Sequence, residues 1–122
     1  MKNILSGLII AVFLIAASSA YAHPPSDITI TFDAQTKILK ALITHNVSSP
    51  EKHYINKVDV GLNGKEIIEH NISKQDNNQT QAVSYLIGDV KSGDVLSVEA
   101  YCSISGKLKK QITVDLVPGT AF

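Results

Sequence analysis

From residue 28 onward the apolar and β-branched residues of this chain fall at every second position, as in Ile28-Thr29-Ile30-Thr31-Phe32 and again over 39–44. Such alternation sets one face of an extended strand against a core and the other in water, whereas a helix needs a repeat near 3.6. Runs of the same kind cover 55–62, 65–72, 81–87, 95–104 and 108–117. Between them stand Asn63-Gly64, Gly88-Asp89, Ser92-Gly93-Asp94 and Ser105-Gly106-Lys107, residues that turn chains. Asn63-Gly64 is the sharpest of these, because both residues tolerate the positive φ that a two-residue hairpin demands. Seven short strands at this spacing predict an all-β, immunoglobulin-like β-sandwich of about seven antiparallel strands. No helix of useful length, internal repeat or linker is visible, and the polar stretch 73–80 reads as an exposed loop.

The first 22 residues have a different character. Lys2 supplies positive charge, residues 4–17 are apolar apart from Ser6 and Gly7, and Ala20-Tyr21-Ala22 has small residues where signal peptidase reads. The apolar core is shorter than the roughly 20 residues of a membrane span. The expectation is a cleaved signal peptide over 1–22 and one domain over 23–122, exported across the inner membrane to the periplasm. Cleavage after Ala22 would leave His23 first, and the competing cut after Ala20 would leave Tyr21-Ala22 ahead of it. No Cys follows the leader to take a lipid anchor, and no later apolar stretch approaches membrane length, so the mature form is not expected to span one.

Charge narrows the partners. All eleven basic residues are lysine and eleven residues are acidic. Phosphate recognition favours a concentrated basic surface with Arg forks, so nucleic acid is not an expected partner. There is no Gly-rich phosphate loop, no Cys-x-x-Cys and no nucleophile elbow. One cysteine, Cys102, precludes an internal disulfide, and an isolated cysteine is ordinarily a small buried hydrophobe. The residues able to carry chemistry are His23, His45, His53, His70 and Cys102.

Their arrangement is distinctive: His23-Pro24-Pro25 ahead of the first strand, His45-Asn46-Val47 at a strand end, His53-Tyr54-Ile55 opening the next strand, and Cys102-Ser103-Ile104-Ser105-Gly106 late in the chain. Over nearly all of 23–122 this pattern resembles the superoxide reductase family, the iron domain of desulfoferrodoxin and neelaredoxin. In that family an immunoglobulin-like sandwich holds one iron through four His nitrogens and one Cys sulfur, with a sixth position open to superoxide. The resemblance implies a metal site of His23, His45, His53 and Cys102, a mononuclear iron cofactor, superoxide or another small molecule as substrate, and an electron-donor protein as partner.

The chain departs from that pattern in four places. His45 and His53 are eight residues apart where the family has six, and Asn46 stands where the family has Pro. Ser105 replaces the fourth His, a poor exchange for a thiolate-bound ferrous ion. The Glu-Lys pair before the first His is replaced by Tyr21-Ala22; Glu51-Lys52-His53 repeats the triplet at another ligand, where Lys52 reads as an ordinary surface lysine, and no residue is assigned a catalytic role. His70, in Glu69-His70-Asn71, reads as a solvated strand-end residue rather than a replacement ligand. A free α-amine on His23 would chelate together with its ring, an arrangement suited to copper as the alternative cofactor. The readings carried forward are a superoxide-reducing iron enzyme, a non-catalytic copper or iron binding or redox-partner module, and a plain binding sandwich with Cys102 in its core. Exposed sheet edges also leave room for a homodimer.

Overall fold

The alternation seen in the sequence becomes burial in the computed structural model, which describes residues 23–116; the leader expected over 1–22 and Val117, the last residue of the expected seventh strand, lie outside them. The strands are β1 (Asp27–Asp33), β2 (Ile38–Thr44), β3 (Ile55–Leu62), β4 (Lys65–Asn71), β5 (Thr80–Leu86), β6 (Val95–Cys102) and β7 (Lys107–Thr113). All pair antiparallel, in a three-stranded sheet of order β1-β2-β5 and a four-stranded sheet of order β4-β3-β6-β7. The described residues form an all-β sandwich without helices.

Each central strand contributes a row of inward side chains. β2 gives Leu39, Ala41 and Ile43, and β6 gives Leu96, Val98 and Ala100, each at most 3% exposed. Ile55, Val58 and Val60 of β3, the neighbour of β6 in its sheet, join the same core. Burying one such aliphatic side chain is worth about 1.5–3 kcal/mol. Asn63 and Gly64 take φ of 53° and 85°, closing the β3–β4 hairpin as its sequence demands. The Asn63 side chain also accepts the Val95 amide at 2.9 Å and donates to Asp94 at 3.0 Å, tying that turn to the start of β6.

β7 is shorter than the alternation suggested. Its partner β6 begins at Val95, so beyond Thr113 little ladder remains; Val114 exchanges only turn bonds with Gly93 and Asp94. β6 stops at Cys102 rather than 104 because the chain turns there, the Cys102 amide donating to Gly106 O at 2.9 Å.

One irregularity positions everything that follows. Ile55 pairs with Cys102 but Lys57 pairs with Tyr101, so Asn56 is an extra residue in β3. A bulge flips the side-chain parity of the strand before it. Ile55 and Val58, three residues apart, are for that reason both wholly buried. In an unbulged strand the parity that buries Val58 would turn Ile55 outward, and would carry His53, two residues earlier, away from Cys102.

Candidate metal centre

Antiparallel order dictates which loops share an end of the sandwich. The start of β1, the end of β2, the start of β3, the β4–β5 connection and the β6–β7 turn all lie at one pole. His23 precedes β1, His45 follows β2, His53 precedes β3 and Cys102 ends β6, so four separate segments deliver their donors there. His45 and Cys102 are the next members of the inward rows of β2 and β6: His45 continues Leu39-Ala41-Ile43 and is fully buried, and Cys102 continues Leu96-Val98-Ala100 at 7% exposure. His23 and His53 are half-buried and close the cluster from outside.

The three imidazoles form a triangle with ring centroids 4.8–5.0 Å apart, each pair tilted or edge-on rather than stacked. One nitrogen from each lies within 4.8 Å of the others. Cys102 joins through one corner, its Sγ 3.1 Å from His53 Nε2, and also accepts the Ile104 amide at 3.4 Å. Ligands of one ion at about 2.05 Å for nitrogen and 2.3 Å for sulfur sit about 3.1 Å apart at a right angle, while nitrogens opposite one another are about 4.1 Å apart. The Cys–His spacing therefore already matches shared ligation, whereas only one pair of the three imidazole nitrogens can stand opposite and the other pairs must close to about 2.9 Å, drawing in by up to about 1.9 Å. The donor set, imidazole with one thiol and no carboxylate, suits a transition metal rather than calcium or magnesium.

The loops are held firmly. The Tyr54 amide donates to Ser103 Oγ at 3.1 Å and the Ser103 amide to Tyr54 O at 2.8 Å, lashing the His53 segment to the residue after Cys102. The His53 amide donates to Ser49 O, which shapes the turn inside the lengthened His45–His53 loop. Gly106 has φ of 91°, and a Cβ there would stand 3.0 Å from Pro24. Gly106→Ala is expected to push Pro24, and His23 with it, off the cluster and to lower metal affinity about tenfold, a loss typical of misaligned ligands. Gly64→Ala carries similar backbone strain with nothing within 4 Å and should leave that affinity unchanged, so parallel metal titrations of the two variants separate collision from strain.

His53 also carries a pH signature. Burial, then the neighbouring His45 and His23 rings, hold its pKa below the ordinary imidazole value. A group whose folded pKa is depressed takes up a proton more readily when unfolded, so its contribution to stability is present above the unfolded value near 6.5 and is lost as pH falls through the folded one. In chelator, the urea midpoint is expected to fall between about pH 7 and pH 5, and to fall less in His53→Ala.

Residues outside the cluster are as informative. Ser105, standing where the family pattern has its fourth His, is exposed, and Glu51 and Lys52 are exposed as well. His70 is not the solvated residue expected: it is half-buried, 2.8 Å from the Tyr85 hydroxyl, and absent from the triangle. Asp59, Glu66 and Glu69 gather on the outer face of β3 and β4, where Lys57 pairs with Asp59 at 3.6 Å. Stretch 73–80 is not uniformly exposed, because Gln75 is fully buried against His45. Sequence reasoning missed it because a Gln in a polar loop has the composition of a solvated one. Among known families no family model matches the chain, and no curated protein matches it.

Proposed function

We propose that this chain is an exported mononuclear metal protein of superoxide-reductase type, with His23, His45, His53 and Cys102 holding iron and superoxide as its substrate. The observation that carries the reading is the convergence of three imidazoles from three segments within 4.8 Å, with Cys102 Sγ against one of them. Burial, then the neighbouring His45 and His23 rings, hold the His53 pKa below the ordinary imidazole value, which favours the neutral, lone-pair-bearing form that ligates metal. The leader over 1–22 supports export.

Bound iron would supply the single electron that, with two protons, turns superoxide into hydrogen peroxide, and an external donor protein would restore it. The chain's own residues then divide the work. His45 and Cys102, buried at the ends of their rows, anchor the inner side, and half-buried His23 and His53 form the side a small anion reaches from solvent.

Ser105 favours a second reading. With no fourth imidazole in the cluster the chain provides four donors, enough for a non-catalytic site that holds copper, or iron without turnover. Metal analysis of protein secreted with its own leader, alongside Cys102→Ser, tests both. One iron per chain, a visible charge-transfer band lost in the variant and superoxide consumption are expected. Stoichiometric copper without turnover would favour the second reading, and no stoichiometric metal would sink both.

A further inference from the structure

Gln75 is one of the few wholly buried polar side chains, and it fills all four of its hydrogen-bonding valences. Its Nε2 donates to His45 O at 2.8 Å and to Asn77 O at 2.9 Å. Its Oε1 accepts the Ile55 amide at 3.2 Å and faces His45 Nδ1 at 2.8 Å. Three of these partners are backbone groups whose roles cannot change: two carbonyls that only accept and one amide that only donates. Flipping the side-chain amide would set oxygen against both carbonyls and NH₂ against an N–H, so its orientation is determined without reference to the imidazole. What remains facing His45 Nδ1 is an acceptor, and Nδ1 must carry a proton.

We infer that Gln75 is a positioning residue that locks His45 in its Nδ1–H form and turns the Nε2 lone pair toward the metal, an inference that rests on the metal-centre reading above. Nε2 lies 3.2 Å from His23 O, so in the Nδ1–H form two lone pairs meet there. A cation between those lone pairs removes the conflict. The Gln75 backbone N–H also donates to Pro50 O at 3.1 Å, in the loop that carries His53, so one residue orients one ligand and braces the segment of another. An outer partner that sets tautomer and ring angle in this way typically changes metal affinity by about 10- to 100-fold.

The test pairs NMR of the imidazole nitrogens, on the leader-processed chain stripped of metal, with cobalt(II) titration of wild type and Gln75→Met. Expected are the Nδ1–H form of His45 in wild type, and a mixed tautomer with a cobalt affinity about 10- to 100-fold weaker in Gln75→Met. An Nε2–H form in wild type overturns the inference whether or not the variant folds. So does a folded Gln75→Met that binds cobalt as wild type does, since a purely structural role would move only its melting temperature. Wild type with the Nδ1–H form but no cobalt uptake upholds the tautomer assignment and removes the metal-centre reading alone.

Discussion

His53→Ala is expected to weaken metal binding by about a hundredfold or more, while the metal-free protein keeps its fold and its melting temperature. Losing an inner ligand costs at least as much as losing an outer partner, for which about 10- to 100-fold is usual. The fold survives because the His53 ring is half-buried and its hydrogen bond reaches only Cys102, while the turn that carries it is closed by the backbone bond from His53 to Ser49. Removing a ring whose protonated form is penalised by burial and by two neighbouring imidazoles deprives the metal-free state of nothing it needs. His45→Ala would be a poorer probe, since it empties a fully buried ring site and leaves Gln75 Oε1 with the Ile55 amide alone, which confounds ligation with stability. Cobalt or iron titration followed by melting in chelator reads both halves, and an affinity within threefold of wild type would remove His53 from the site.

The largest effect on stability is expected at Ile43, one residue from an almost silent position. Ile43→Ala should cost about 2–5 kcal/mol, the range for deleting a fully buried aliphatic side chain. Such a loss is a large share of the roughly 5–15 kcal/mol that holds a domain together. Leu42→Ala, on the outer face of β2 at 45% exposure, should change stability by no more than about 0.5 kcal/mol. Urea unfolding of the two variants compares adjacent residues of similar size on opposite faces of one strand. Equal losses would mean that β2 is not packed as the sandwich requires. Ile43 also lies between Ala41 and His45 in the inward row, so Ile43→Ala should recover part of its stability when metal is bound, by the mass action of a ligand that prefers the folded chain.

The strands were legible because alternation is a local property: each apolar residue two positions from the last needs only its own backbone to know which way it points. Asn63-Gly64 was legible for the same reason, since positive φ is a demand on two residues and not on their surroundings. His45 and Cys102 stand in register with their inward rows, so their burial could be read from 39–45 and 96–102 in the sequence. That His23, His45, His53 and Cys102 belong together was implied by the family resemblance that four short motifs carry, which names candidate donors without placing them.

Placement was decided elsewhere. The extra residue at Asn56 is a relation between β3 and β6 that neither strand carries alone, and it returns Ile55 inward and His53 toward Cys102. Gln75 lies in a stretch whose composition is that of a solvated loop; only the closure of one pole of the sandwich surrounds it with a carbonyl from each side, an amide and an imidazole. By itself, then, the sequence determined the strands, their turns and which side chains are able to donate to a metal, because those follow from each residue's own backbone preference and chemistry. The tertiary structure alone decided the bulge, the burial of Gln75 against His45 and the spacing of the three imidazoles and Cys102, because each depends on groups that are distant along the chain and become neighbours only in the folded sandwich.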